Sequence, residues 1–272
     1  MKVLLINGSP RREGNTFIAL SEAARALEAE GVGAEIVSIG TKAVQGCIAC
    51  GKCAELGRCV FNDALYNEVR EKLAGADALV VGSPVYYAGP NGSLCALLDR
   101  LFYSCSDRLA YKPAAAVAVC RRGGASATFD RLNKYFTISN MPVVSSQYWN
   151  SVHGRLPGEA AQDAEGLQTM RTLARNMTFL MKLVGLPLIA LLTLVEWLGI
   201  FALGISQFIT NKLAALIFFI ACCCLLFGKV TFREAAAMFA GSFCVFILPY
   251  AAEWILERIS DLNRCLKDWV RG

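Results

Sequence analysis

A parallel β-sheet covered on both faces by helices, followed by an α-helical membrane segment, is the fold class this sequence predicts. Two observations carry it. Through residue 182, short apolar runs alternate with amphipathic helical stretches, the pattern of a parallel sheet in an α/β unit. After Lys182 the polar faces vanish and long apolar runs take over. The chain of 272 residues is long enough for one ordinary domain and an additional segment, and its composition, 55% hydrophobic and 18% charged, is displaced towards that of a membrane protein. The mean hydropathy of +0.44 averages over two unlike parts, expected to divide as residues 1–182 and 183–272.

The elements follow in order. Val3 to Ile6 is a strand, and Thr16 to Glu30 a helix with apolar residues at Ile18, Leu20, Ala24 and Leu27. Ala34 to Ile39 is a second strand, Ala64 to Leu73 a helix, Ala78 to Val81 a third strand and Asn91 to Leu101 a helix. Strand Ala114 to Val119, helix Ala125 to Tyr135, a short strand near Val143 and a helix from Glu159 to Met181 complete a five-stranded sheet. Ligands of such sheets bind at the carboxyl ends of the strands, so the loops after Ile6, Val81 and Val119 carry the functional reading.

The net charge of +5 is modest and its basic residues are scattered without interleaved aromatics, which argues against a nucleic-acid partner. The N-terminal apolar run in "MKVLLINGSP" is too short for a signal peptide. The first part is therefore expected in the cytoplasm, where a dense cysteine set points to metal binding or catalysis rather than disulfides.

The first loop, "NGSPRREGNT", places Gly8 and Gly14 at tight turns, with donors on Ser9, Asn15 and Thr16 and positive charge on Arg11 and Arg12, ahead of a helix N-terminus. These groups suit a phosphate. The loop lacks the Gly-Lys-Ser/Thr of nucleotide triphosphatases and the spacing of the dinucleotide fingerprint, so a monophosphate is the better match; a polar turn without a ligand is the plainer alternative. The second loop, "GSPVYYAGPNGS", combines Tyr86 and Tyr87 with two prolines and three glycines, a setting for a flat heteroaromatic ring. The third, "CRRGGAS" from Cys120 to Ser126, again brings glycines to a strand end.

These segments, "MKVLLINGSPRREGNT", "VVGSPVYYAGPNGSLCALLDRLF", "CRRGGASATFDRLNKYFTISNMPVVSSQYWNSVHG" and "EGLQTMRTLARNMTFLMK", resemble the flavodoxin-like NAD(P)H-dependent FMN reductases, including the iron-sulfur flavoproteins, over residues 1–182. The resemblance implies a flavodoxin-like fold and FMN held through its phosphate by Ser9, Arg11, Asn15 and Thr16. Its ring would lie against Pro84, Val85, Tyr86, Tyr87 and Gly89 on one side and Cys120, Arg121, Gly123 and Gly124 on the other, with homo-oligomers completing each site. It assigns no catalytic side chain, because the flavin supplies the reactive atoms. His153, the single histidine, reads as a structural hydrogen-bonder or a proton donor near the flavin edge.

Cys47, Cys50, Cys53 and Cys59 follow the spacing C-x2-C-x2-C-x5-C. A compact run can wrap a [4Fe-4S] cubane and return a fourth thiolate. Zinc is the competing metal, although its usual pattern is two separated C-x2-C pairs; a metal-free, redox-active loop is the third reading. Cys95 and Cys105 read as packing residues, and the consecutive Cys222, Cys223 and Cys224 cannot all face one ligand.

Beyond Lys182 come "LVGLPLIALLTLVEWLGIFALGI", "LAALIFFIACCCLLF" and "AAAMFAGSFCVFILPYAAEWI". Spanning takes about 20 apolar residues, so two or three spans fit. Three would carry Arg258, Arg264, Lys267 and Arg271 across, against the positive-inside tendency; two, with the first run interfacial, would export Lys229 and Arg233. Two spans plus an interfacial helix is the preferred arrangement. Ala237 and Gly241 offer either a helix-packing or a lipid-facing surface. "ALIFFIACCCLLFGKVTFREAAAMFAGSFCVFILPYAAEWI" is similar to the two-helix hairpin of conjugative pilins of type IV secretion systems, and the junction near Lys182 reads as a fusion.

The expected function is an FMN-dependent oxidoreductase at a membrane, its first domain cytoplasmic, carrying electrons from NAD(P)H to a quinone, a flavin or a one-electron acceptor. The alternatives are a membrane-assembly or secretion hairpin with a flavodoxin-like passenger, and an electron-transfer flavoprotein that does not use NAD(P)H.

Overall fold

In the computed structural model of the chain, which describes residues 1–183 and 185–271, β1 (Lys2–Asn7) is buried from its second residue onward. That continuous burial is what a strand covered on both faces requires. α1 (Asn15–Ala29) turns a stripe of Thr16, Ala19, Leu20, Ala23, Ala24 and Leu27 inward, at the three- and four-residue spacing of one helix face. β2 (Gly33–Ser38) follows, then a long loop holding the short α2 (Cys53–Leu56), then α3 (Ala64–Ala74), whose cap is Asp63 accepting the Tyr66 amide. β3 (Ala78–Tyr86) folds back on the two-residue β4 (Gly89–Pro90) before α4 (Gly92–Cys105). β5 (Ala114–Cys120), α5 (Ala125–Ile138), β6 (Ser151–His153) and α6 (Ala164–Leu183) complete the unit.

The parallel sheet runs in the order β2-β1-β3-β5-β6, with β4 paired only to β3. Because successive side chains of a strand point to opposite faces, two cores form. Leu4, Ile6, Leu79 and Val81 pack with Tyr66, Leu97, Leu101 and Phe136 from α3, α4 and α5. Val3, Leu5, Val80 and Val117 pack with Leu20, Leu27, Leu173 and Met177 from α1 and α6.

Two expectations shift. The fifth strand is Ser151–His153, whereas Val143 forms only an isolated bridge to Ala114. The expected helix from Glu159 begins as a 3-10 turn over Glu159–Gln162, and α6 proper starts at Ala164.

The chain divides into Met1–Leu183 and Val184–Arg271. In the second unit the first two apolar runs are one continuous helix, α7 (Gly185–Leu226), paired with α8 (Phe232–Arg271). Between them, Gly228 is left-handed at φ 64°, its amide reaches Leu225 O, and the Lys229 amide reaches Cys224 O at 2.9 Å, a Schellman stop. Thr231 and Glu234 then form a capping box: the Thr231 amide donates to the Glu234 carboxylate, and the Glu234 amide to Thr231 Oγ1. The helices approach closely where small residues meet: a side chain at Gly199 would lie 2.4 Å from Leu256, and Ser242 Oγ donates to Ala214 O at 2.8 Å. The packing face is therefore Ala235 and Ser242; Ala237 and Gly241 face outward.

Phe136 is fully buried against Phe102, with ring centroids 6.0 Å apart, whereas Ile138, on the same helix, is 84% exposed. Phe136→Ala is expected to destabilise the first unit by about 3–5 kcal/mol, and Ile138→Ala by less than about 0.5 kcal/mol. Thermal unfolding followed by near-ultraviolet circular dichroism measures both.

Candidate active site

Loops at the carboxyl ends of β1, β3, β5 and β6 close into a ring. The β1 loop meets the β3 loop through the Gly8 amide, which donates to Gly82 O at 2.8 Å, and through Asn91 Nδ2, which donates to Gly8 O at 2.8 Å. Glycine is required at position 8, because a Cβ there would lie 2.4 Å from Leu94 and 2.7 Å from Gly82 O. The β3 and β5 loops meet at Gly124, left-handed at φ 82°, where a side chain would strike Ala88 and Val85. The β5 and β6 loops meet where the Gly154 amide donates to Cys120 O at 2.9 Å. The ring closes where Gly154 abuts Asn15.

Two helices open onto this ring without a side-chain cap: α1, preceded by Gly14, and α5, preceded by Gly124. Their first amides have no intrahelical partners and favour an anion or a polarised oxygen. Ser9 and Thr16 are buried at the first of them, and Ser9 Oγ accepts the Arg11 amide at 3.2 Å. Arg11 itself is exposed. Asn15 is engaged elsewhere: its Nδ2 donates to Leu156 O at 2.9 Å and its Oδ1 accepts the Gly158 and Ala160 amides, so it ties the loop after β6 to α1.

In the β3 loop, Tyr87 and Ala88 both hold left-handed backbone, at φ 51° and 58°, as the two-residue turn of a tight hairpin requires. Tyr87 is fully exposed and Tyr86 nearly half so; Pro84 and Val85 are partly buried at the end of β3 and Gly89 begins β4. Arg121 and Gly123 are exposed beside the open α5 terminus. Cys120 is buried, and its thiol is pushed up first by burial and then by the nearby Asp163, so it stays protonated. His153 points its ring nitrogen Nδ1 towards Asp163 at 3.4 Å, and its amide donates to the same carboxylate.

Asn91 was not among the residues singled out in the sequence. Besides bridging to Gly8, it caps α4 by accepting the Ser93 amide at 3.0 Å, and its own amide donates to Ser83 Oγ at 2.9 Å. An Asn directly before a Gly-Ser helix start is an N-cap signal, and that signal was available.

The cysteine loop lies against α4. Cys47, Cys50, Cys53 and Cys59 all line one small cavity, walled by Arg100 and Tyr103. Cys47 and Cys50 are exposed and Cys53 and Cys59 half-buried. Left-handed backbone at Ala49, Gly51 and Gly57 winds the loop. Among the described residues no three His, Cys, Asp or Glu side chains converge at metal-binding spacing. Burial opposes ionisation of Asp63, beside this cavity, yet the Tyr66 amide and Arg100 hold its carboxyl below the usual range.

The profile of the NADPH-dependent FMN reductase family matches residues 1–155. An iron-sulfur flavoprotein of Methanocaldococcus jannaschii is 35% identical over 192 residues, covering 68% of this chain and 99% of that protein. Another, from Methanosarcina thermophila, is 31% identical, covering 68% of this chain and 97% of that protein. The crystal structure of RosB with a bound intermediate shares the fold, with a TM-score of 0.53 at 17% identity over 68% of this chain and 80% of that one. A flavodoxin-like sheet whose strand-end loops close around two open helix termini agrees with these matches: the chain belongs to the NADPH-dependent FMN reductase family and is an FMN-dependent oxidoreductase.

Proposed function

We propose that the chain oxidises NADH or NADPH through FMN bound in the four-loop ring and delivers the electrons, by way of a [4Fe-4S] cluster on its cysteine loop, to a quinone, a flavin or a one-electron acceptor at a membrane. The observation that carries the reading is the ring itself, with two uncapped helix N-termini at the carboxyl edge of a parallel sheet. FMN, when bound, accepts electrons in a pair and releases them singly. The protein's part is binding and orientation. The open amides of α1, with Ser9 and Thr16, would hold the phosphate; Pro84, Val85, Tyr86, Tyr87 and Gly89 would flank the ring on one side, and Cys120, Arg121, Gly123 and Gly124 on the other. Arg11 would add charge at the phosphate, and Asn15 would hold the loop after β6 in register rather than touch the ligand. Tyr87 is a fully exposed aromatic on the site's β3 loop, which favours a second copy of the chain covering the site.

The cysteine loop fits an iron-sulfur cluster by its donor set: four thiols on one cavity, next to a buried cation. The names of the relatives support the same reading, and zinc or a metal-free loop are its competitors. A cluster, when bound, passes one electron at a time. α4 links the two sites, with Asn91 at the flavin loops and Arg100 nine residues later at the cysteines, about 14 Å along a helix.

Membrane anchoring rests on the second unit. Two helices are long and apolar enough to cross a bilayer, and Leu191, Trp197, Phe201, Phe208, Phe219 and Phe227 are each more than half exposed. Such a surface is unfavourable in water.

Three outcomes are expected. Replacing Ser9 and Thr16 together by Ala weakens FMN binding by about 1.5–3 kcal/mol for each charge-assisted donor lost, read by flavin fluorescence titration of the apoprotein; unchanged affinity would put the phosphate elsewhere. The full chain stays with membranes through an alkaline carbonate wash, and its recovery in the soluble fraction would make the helical hairpin an oligomer interface instead. Cys53→Ala loses iron and slows the reduction of one-electron acceptors, while bound FMN and its reduction by NAD(P)H persist; a variant matching the parent with every acceptor would favour the metal-free reading.

A further inference from the structure

Among the described residues Arg100 is the one arginine whose side chain is wholly buried, at 1% exposure for the residue. Its guanidinium is aimed entirely at the cysteine loop. Nε donates to Cys59 Sγ at 3.4 Å, Nη1 to Gln45 O at 3.3 Å and Nη2 to Phe61 O at 2.7 Å. Gln45 and Phe61 flank the segment that contains all four cysteines, so one side chain clasps both ends of the loop. The cation also sits over the Tyr66 ring, 4.6 Å from its centroid, and pairs with Asp63.

Cys59 is held from its backbone side as well. Its amide donates to Tyr66 Oη at 2.9 Å, Tyr66 Oη is hydrogen-bonded to Ser104 Oγ at 2.7 Å, and Ser104 Oγ donates to Arg100 O at 2.7 Å. A closed circuit of Cys59, Tyr66, Ser104 and Arg100 therefore fixes this one cysteine, while Cys47 and Cys50 lie exposed. A buried guanidinium needs anionic or dipolar partners, and among the described residues the one carboxylate paired with it, Asp63, is 44% exposed. The sulfur of Cys59 is the remaining group that could bring negative charge to it.

We propose that Arg100 is a positioning residue that seats Cys59 as the fixed corner of the cluster site and raises the reduction potential there. The inference rests on the [4Fe-4S] reading above. One-electron reduction adds one negative charge to a cluster, and both a nearby cation and an N–H donated to a ligand sulfur stabilise the more negative state. Asp63 opposes this by partly neutralising the same cation. Arg100 and Asp63 therefore act on the potential with opposite signs, although both hold the loop in place.

That opposition separates tuning from mere stapling. The test is an electron-paramagnetic-resonance redox titration of the anaerobically purified full chain in detergent, with iron, sulfide and FMN analysis and the rate of iron release to a chelator. Arg100→Gln is expected to shift the cluster midpoint more negative and to speed iron release by about 10–100-fold. Arg100→Lys, which keeps the charge and loses the fork, is expected to fall between Gln and the parent. Asp63→Asn preserves the α3 cap, since Asn caps as well as Asp, and is expected to shift the midpoint more positive. FMN content and the flavin midpoint should stay at parental values in all three. Midpoints unchanged in Arg100→Gln and Asp63→Asn, or shifted in the same direction, overturn the proposal. If Arg100→Gln holds no iron, the sign of the Asp63→Asn shift decides alone. A parent with stoichiometric FMN and no iron overturns the cluster reading itself, which is distinct from a loaded parent whose variants do not move.

Discussion

The contact between the β1 and β3 loops at Gly8 is the constraint on which the rest of the site depends. The Gly8 amide donates to Gly82 O and the Gly8 carbonyl accepts from Asn91 Nδ2, each at 2.8 Å, so the backbone of one loop is stitched to the other through both of its polar groups. Neither bond is compatible with a side chain at position 8, whose Cβ would lie within 2.7 Å of the Gly82 carbonyl. Once the two strand ends are drawn this close, the start of α1 and the start of α4 must open in the same place. α1 starts there without a side-chain cap, and open first-turn amides of a helix are the groups that bind an anion.

α4 carries that constraint to the second site. Its first turn is fixed by Asn91, which caps the helix and holds Gly8 at once, while its middle is fixed by Leu94, Leu97, Leu98 and Leu101 in the core. Arg100 consequently arrives at the cysteine loop from a rigid element rather than from the loop itself. A loop with few buried residues, such as that around Cys47 and Cys50, gains its definition from such an outside clasp, because the entropy of ordering it is offset by bonds to a group that is already ordered.

Much of this was legible in the sequence, for reasons that differ by residue. The strands could be read because both faces are covered, which makes "VLLI" and "AAAVAV" continuous apolar runs. β6 could not, because only Val152 of its three residues is buried, while Val143, apolar and flanked by turns, imitated a strand and makes a single bridge. The loops bearing Ser9, Tyr86 and Gly124 were recognisable by their glycines and their place after strands. The assignment of Asn15 to the ligand did not anticipate that its amide groups would be taken by Leu156, Gly158 and Ala160, partners more than 140 residues away. Arg100 was not singled out for the same reason: nothing local in "LLDRLFY" marks it, and only the tertiary fold brings Gln45, Cys59 and Phe61 to its three nitrogens.

The second unit inverts that lesson, since its turn is local and its helix lengths are not. "GKVTFRE" contains both a Gly stop and a Thr-x-x-Glu start, each of which the structure forms with its own neighbours. The first apolar run ends at Ile205 and the second begins at Leu213, but none of Ser206, Gln207, Asn211 and Lys212 between them interrupts a helix, and the 42-residue α7 passes through them. At 1.5 Å per residue that is about 63 Å, roughly twice the hydrocarbon thickness of a bilayer. The hydrogen bonds between the two helices differ along that length. Glu196 accepts from Ser260 Oγ and Asn263 Nδ2 at 2.8 and 2.9 Å in the half of the hairpin away from the turn, whereas the half nearer the turn pairs Ala214 and Ala221 with Ala235 and Ser242. Under the proposed membrane anchoring, the hydrocarbon thickness of a bilayer would match only one half of such a pair, and the cost of burying Glu196 and its partners there would favour the half that ends at Gly228.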